Sequence, residues 1–446
     1  MKQPYPHQDE HANEIAKRDT YALWWSPRTG KTLTTTLGLK RAGIERVIVL
    51  CPSVVKPVWE SELSEHGFDV EMYKPSGKRK PAQSLVINYE SVWRPKAAVD
   101  LTQYDAIVFD ESIRLQNYNS KGMAFWFANL KRLPKKRILL SGAPCPESVL
   151  QVAPQLWLLN GGSSRFMDFY EYLYNNWTYN EMSYKWKPNT TEVAKRLENA
   201  MSLAGHTLDQ KDIGVEVVKV YEYLTATPSK REKEVFKAIR TATEYKNKDG
   251  KVMPLFAHDA DSERQRFQLY RQASSGLNML DGLNPESITS SKLIALRDFI
   301  TNIHDDYRDE RFVVFTAYRH TVRNVCELLR GKGLEVGTLT GDDNEDERNE
   351  NLKQFQAGEL DVMVVNVVVG KMGIDLSLAN YLIYAENSYS GDARIQSEER
   401  ATRLDKKGVV QVIDCVLDVT PNVDKSVAEA VKSKRDFNIK LLNNVK

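Results

Sequence analysis

Residues 26–32 read Ser-Pro-Arg-Thr-Gly-Lys-Thr. They constrain the chain more than any other stretch because of what flanks them. An apolar run, Tyr21 to Trp25, comes before, and a helical pattern from Leu33 to Ala42 follows. Strand, tight turn, Gly-Lys-Thr and helix are the surroundings a phosphate-binding loop needs. A helix N-terminus presents unpaired N–H groups and a partial positive charge, which suit a polyphosphate. Gly30 lets the backbone approach the anion closely. Lys31 would set its ammonium on the β- and γ-phosphates, and the Thr32 hydroxyl would ligate Mg²⁺. The general pattern GxxxxGK[ST] would place glycine at position 25, where this chain has Trp25. An ordinary strand–turn–helix with a surface lysine has the same local look.

A chain of 446 residues has room for two or three domains. Its 62 basic and 60 acidic side chains leave a formal charge of +2. A polyanion partner would therefore be met by local clusters, not by overall charge. Cys51, Cys145, Cys326 and Cys415 form no CxxC pair, which suggests neither a zinc site nor a disulfide framework and fits a reducing cytoplasm. Met1 to Arg18 is polar and lacks a signal-peptide core. No apolar run reaches membrane-spanning length, so no membrane partner is expected.

Beyond the loop the chain alternates buried strands with helices. Arg46 to Cys51 is a continuous apolar run, the look of a parallel strand covered on both faces. Ser84 to Ile87 and Arg137 to Leu140 read likewise, the latter ending in Ser141-Gly-Ala-Pro144. The strand Asp105 to Phe109 delivers Asp110-Glu111-Ser112 at its C-terminal end, the edge where open α/β sheets bind ligands. One carboxylate there could hold Mg²⁺ and its neighbour could polarise a water. Gln8, ahead of a helical pattern, carries a donor and an acceptor that could read an adenine edge, although a glutamine there is commonly a cap. Lys74 to Pro81 is a basic turn, either a solvated loop or a phosphate-backbone contact. Residues 150–212 crowd aromatics, among them Trp157, Trp177 and Trp186, into a helical pattern. A helical subdomain core explains them, and base stacking is the sharper alternative. Residues 213–290 read as a connecting helical region. From residue 291 the α/β rhythm returns. It carries Gly370-Lys-Met-Gly-Ile-Asp375 after one strand, and Gln396 to Arg403 on a helix where Arg400 and Arg403 share a face. Surface ion pairing would also explain the two arginines. The acids from Asp342 to Glu347 suit the first turn of a helix better than a metal site.

The order of these pieces resembles the superfamily-two helicases and translocases, most closely their Swi/Snf-type branch, including small phage-encoded members. Gln8 matches the adenine-reading glutamine and SPRTGKT (26–32) resembles motif I. VIVLCPSVVKPVW (47–59) and VINYESV (86–92) resemble motifs Ia and Ib, IVFDESIRLQN (107–117) motif II and LSGAPCPE (140–147) motif III. FVVFTAYRHTV (312–322), LTGDDNEDERNENLKQF (339–355), VVVGKMGIDLSLANYLIY (367–384) and QSEERATRLDKKGVVQV (396–412) are similar to motifs IV, IVa, V and VI. Trp25, Ile113 and Ala143 depart from the family pattern. The resemblance implies an α/β chain of two tandem RecA-like parallel-sheet lobes, 1–149 and 291–446, with the helical, aromatic-rich 150–212 and the connecting 213–290 between them.

It also implies a nucleic-acid-dependent ATPase that uses ATP and Mg²⁺. Gln8, Thr29, Gly30, Lys31, Thr32, Gly373, Asp375 and Gln396 would contact the nucleotide. Thr32 and Asp110 would hold the metal, Glu111 would orient the attacking water, and Arg400 and Arg403 would act as arginine fingers, Arg403 foremost. The expected partner is duplex or branched DNA, met by Ser53, Lys78, Arg79, Lys80 and Lys371, with an RNA- or single-strand-stimulated ATPase and a nucleotide-gated interaction module as alternatives. A monomer in the cytoplasm, a host's if the chain is phage-encoded, completes the expectation, with an oligomer left open.

Overall fold

The computed structural model describes residues 3–74, 84–94, 97, 99–117, 120–145, 149–162, 177–180, 185–188, 190–214, 217–241, 244–246, 252–254, 262–276, 290–367, 374–401 and 408–445. The apolar runs become strands, because a β-rich stretch flanked by polar turns is stable only when both its faces are covered. In the first half these are β1 (Thr20–Trp25), β2 (Val47–Cys51), β3 (Val70–Met72), β4 (Ser84–Asn88), β5 (Ala106–Asp110) and β6 (Lys136–Leu140). A two-stranded antiparallel ribbon, β7 (Trp177–Asn180) with β8 (Lys185–Pro188), and then β9 (Gly205–Leu208) follow. Among the described residues the sheet order is β3-β4-β2-β5-β6-β1-β9, every pairing parallel.

Alternate residues of each strand serve opposite cores. Ala22 and Trp24 face one, with Phe109, Trp126 and Trp157, while Tyr21, Leu23 and Trp25 face the other, with Ile15, Leu39 and Trp59. Helices Pro6–Lys17, Lys31–Arg41 and Lys56–Glu65 supply the second core, and helices Lys121–Asn129, Ala153–Leu159 and Thr190–Ala204 the first. Lys136 is buried, and its ammonium donates to the carbonyls of Ile15 (2.7 Å), Ala16 (3.3 Å) and Arg18 (2.6 Å). It thereby satisfies the C-terminal carbonyls that a helix leaves unpaired.

The second half forms its own sheet. Its strands are β10 (Val217–Ala226), β13 (Phe312–Thr316), β14 (Val336–Leu339), β15 (Val362–Asn366), β16 (Tyr381–Tyr384) and β17 (Gly408–Leu417), and a small antiparallel ribbon pairs β11 (Glu244–Lys246) with β12 (Val252–Pro254). The order is β10-β17-β16-β13-β15-β14, again all parallel. Helices Lys230–Thr241 and Ser262–Ser275 pack a satellite core around Phe236 and Tyr270. Fully buried Lys292 pairs with Asp424 at 3.0 Å.

The chain divides into two units, Met1–Gly214 with Lys434–Lys446, and Val215–Ser433. Both boundaries differ from those expected. The stretch set apart as 150–212 gives the first unit two core helices and a sheet strand, because Trp157, Leu197 and Met201 fill its core. The second unit begins well before residue 291, because β10 pairs along its whole length with β17. Helix Val423–Val445 had no counterpart in the sequence reading.

Candidate functional site

Residues 26–30 leave β1 and turn into helix Lys31–Arg41. Gly30 caps this helix at φ +89°, a conformation that costs a side-chain-bearing residue dearly. A Cβ there would also lie 1.9 Å from Gln8 Nε2. Gln8 is nearly buried. Its Nε2 donates to the Thr29 carbonyl (3.2 Å), its Oε1 accepts the Tyr5 N–H (3.0 Å), and His7 Nε2 also lies 3.0 Å from the Thr29 carbonyl. Gln8 thus clamps the loop to the start of helix Pro6–Lys17 with both ends of its amide. Thr29 Oγ1 donates to Ser26 O (2.8 Å), and Lys31 Nζ donates to Trp25 O (2.7 Å) and Ser26 O (3.2 Å). At the position where glycine was expected, the Trp25 indole N–H donates to His206 Nδ1 (3.1 Å) at the start of β9. Gln210 Nε2 donates to Pro27 O (3.0 Å), holding the loop from the same side.

Asp110 ends β5, and β6 lies between β5 and β1 in the sheet. Parallel strands bring their C-terminal ends to one edge, so the phosphate loop, Asp110-Glu111 and Ser141-Gly-Ala-Pro144 share it. The loop after β6 meets the phosphate loop directly, since a Cβ on Gly142 would lie 2.7 Å from Pro27 Cδ. Asp110 is nearly buried. Its Oδ2 accepts the Trp59 indole N–H (2.8 Å), its Oδ1 the Glu111 N–H (3.0 Å), and its carbonyl the Tyr89 hydroxyl (2.9 Å). Glu111 stands at φ +51°. Ser112 Oγ donates to Gln155 Oε1 (2.7 Å), and Gln155 Nε2 donates to Pro144 O (2.7 Å), so one fully buried amide ties the turn after β5 to that after β6. Burial, then the neighbouring Asp110 charge, pushes the Cys51 thiol and the Tyr89 phenol upward, so both stay neutral near Asp110. Trp59, Tyr89 and Gln155 were absent from the sequence expectation. For Trp59 and Tyr89 the signal was a polar tip on an otherwise apolar buried residue, and for Gln155 a buried amide, each of which must find a partner.

Lys31 on an eleven-residue helix with a left-handed glycine cap, Thr32 beside it and a buried Asp110 carboxylate among neutral donors form a donor set that fits a magnesium nucleotide.

In the second unit, Gln396 is buried on helix Gly391–Glu399. Arg400 is the C-cap of that helix, not an interior residue, and its carbonyl accepts the Leu376 N–H (3.1 Å). This places Arg400 beside the stretch that carries Asp375, whose Oδ1 accepts the Ser377 N–H (2.9 Å). Buried Arg394 anchors the helix. Its guanidinium bonds Glu398 (2.6 Å), Asn387 (2.6 Å) and Asp414 (2.6 Å) and lies 3.5 Å from the Tyr384 ring centroid. A cavity of about 410 Å³ is lined by Arg319, Arg323, Arg330, Thr338, Thr340 and Asn366. Ser53 and Lys74 are exposed in the first unit. Arg403, Gly373, Lys371, Lys78, Arg79 and Lys80 lie outside the described residues. No helix among those described is long and apolar enough to cross a membrane.

Residues 291–405 match the family model described as helicase conserved C-terminal domain. Over 412 residues the chain is 21% identical to the CHD3-type chromatin-remodeling factor CHR7 of Arabidopsis thaliana, covering 86% of this chain and 30% of that protein. Over 376 residues it is 21% identical to the SWI/SNF-related matrix-associated actin-dependent regulator of chromatin subfamily A-like protein 1 of Xenopus tropicalis, covering 82% and 37%. The chain thus spans about a third of the length of these curated relatives. The crystal structure of the Pyrococcus furiosus Hef helicase domain superposes with a TM-score of 0.54 at 16% identity, covering 96% of this chain and 98% of that one. The two parallel-sheet lobes have the fold of a tandem RecA-like helicase core. Its curated relatives thus include chromatin-remodeling and SWI/SNF-related proteins, and its residues 291–405 resemble a helicase C-terminal domain.

Proposed function

We propose that this helicase-like chain hydrolyses ATP in response to DNA and uses the cycle to move along duplex or branched DNA. The observation that carries this reading is the shared sheet edge of the first lobe, where the phosphate loop at β1 and Asp110-Glu111 at β5 flank β6. In it Lys31 holds the β- and γ-phosphates, Thr32 and Asp110 hold Mg²⁺, and Glu111 orients the water. Gln8 reads the adenine, with Thr29, Gly30, Gly373, Asp375 and Gln396 completing the nucleotide contacts. Arg400 and Arg403 stabilise charge that grows in the transition state. Mg²⁺ supplies charge neutralisation on the phosphate oxygens.

DNA contact is assigned to Ser53, Lys78, Arg79, Lys80 and Lys371. A balanced overall charge favours few, local phosphate contacts, which give binding that is indifferent to sequence and falls steeply with salt. Action inside a cell, a host's if the chain is phage-encoded, goes with this reading.

ATPase rates measured side by side with duplex DNA, branched DNA, single strands and RNA test it. Duplex or branched DNA should stimulate most, and Lys31→Ala should abolish turnover with the fold intact. Stronger stimulation by RNA or single strands would promote the alternative substrate class. Unchanged turnover in Lys31→Ala would reject the site. Weak, unstimulated hydrolysis would favour a nucleotide-gated interaction module.

A further inference from the structure

Asp110 accepts a hydrogen bond from Trp59, the last residue of the stretch 47–59 and distant in sequence from the phosphate loop and from Asp110 itself. Trp59 is fully buried on helix Lys56–Glu65, packed in the same core as Val49, Val86 and Val108, with its indole N–H 2.8 Å from Asp110 Oδ2. The Glu111 N–H takes the other carboxylate oxygen at 3.0 Å. Donors on both oxygens lock the plane of a group that could otherwise rotate about its terminal torsion. An indole suits this task for two reasons. Its ring is held rigidly by packing, so the N–H direction is set by the core. It is also neutral, so it directs the carboxylate without offsetting the negative charge that attracts a cation. A lysine or arginine there would pair with Asp110 and compete with the metal. The nearest lysine on the same helix, Lys56, is turned elsewhere, donating to Tyr73 O at 2.8 Å.

We infer that Trp59 is a positioning residue for Asp110, presenting its carboxylate to the divalent cation through a neutral hydrogen bond. The inference rests on the metal role proposed for Asp110.

Trp126 provides a matched control. It is equally buried, it lies in the core on the other face of the sheet, and its indole nitrogen has no hydrogen-bond partner among the described residues. Trp59→Phe and Trp126→Phe therefore remove the same atoms from one lobe, but only the former removes a bond to Asp110. Mn²⁺ binding to the full chain with ADP, followed by electron paramagnetic resonance, reads the effect directly. Trp59→Phe should raise the half-saturating Mn²⁺ concentration by about 10-fold, the low end for loss of a partner that orients a metal ligand. Trp126→Phe should leave it unchanged even if both variants melt earlier.

An unchanged value in Trp59→Phe, or an equal rise in both variants, overturns the inference. Asp110→Asn separates the two levels. If it does not weaken Mn²⁺ binding, the proposed metal site itself fails; if it does and Trp59→Phe does not, only the role of Trp59 fails. Should Trp59→Phe not fold, benzothienylalanine at position 59 keeps the bicyclic shape and replaces the N–H by sulfur, with the same expected rise.

Discussion

Glu111 at φ +51° and Arg28 at φ +65° are non-glycine residues in the left-handed region, and both stand at the candidate site. That conformation costs an L-residue roughly 1–2 kcal/mol and persists only where the surroundings impose it. At Glu111 the surroundings are visible. Its N–H is taken by Asp110, its carbonyl accepts the Arg114 N–H, and the next residue is tied to Gln155. Asparagine adopts this region more readily. Glu111→Asn should therefore lose turnover yet gain up to about 1 kcal/mol in urea unfolding, and a loss of stability would contradict strain at this position. The sequence showed which residue types gather at the edge, since Gly-Lys-Thr and Asp-Glu are short motifs with their chemistry on their face. It did not show Trp59, Tyr89 or Gln155, which meet their partners 51, 21 and 43 positions away. A single side chain reaching across a core leaves no local pattern.

Helix Pro6–Lys17 is held at both ends, by Gln8 and His7 on the phosphate loop and by Lys136 under its last turn. Between them His11 lies 2.9 Å from Tyr21 Oη and stacks on His206 at 4.0 Å, with Trp25 edge-on. Burial, with His206 adding to it, lowers His11 from its ordinary 6.5 to about 4. The unfolded chain then takes up a proton between those values that the folded chain refuses. This contribution to stability is whole above pH 6.5 and is lost as pH falls from 6.5 toward 4. His11→Phe should flatten the fall in first-lobe melting temperature between pH 7 and 5, measured by calorimetry; an unaltered slope would place the titration elsewhere. Strands such as β2, β5 and β6 were legible because fully buried parallel strands are unbroken apolar runs, but their order in the sheet was not. Helix Val423–Val445 was not legible either, since among the described residues Val423, Val427, Ala428 and Val431 form a narrow buried stripe among charged neighbours. The crowded aromatics of 150–212 looked like a separate body because composition does not say which core a tryptophan fills, and Trp157 fills that of the first lobe.

Each of the two units has its own sheet with a core on either face. Arg400 belongs to the unit that does not hold the phosphate loop. If the proposed fingers serve the transition state, Arg400→Ala and Arg403→Ala should cut kcat steeply, for the finger by roughly 10³-fold, with little change in ATP binding. A rise in KM without a fall in kcat would assign them to ground-state binding instead. Sequence gave the two-lobe plan through motif order, yet the start of the second lobe escaped it, because nothing local in 217–226 announces a partner at 408–417. That pairing has a consequence in time. Among the described residues the first sheet has its strands once Leu208 has left the ribosome, so it can assemble while the remainder is still being made. The second cannot. β17 sits between β10 and β16, so β10, with Val218, Val220, Tyr221 and Tyr223 on show even in the finished protein, must wait for almost two hundred further residues before its neighbour exists. During translation that waiting strand offers its unpaired edge to a wrong partner.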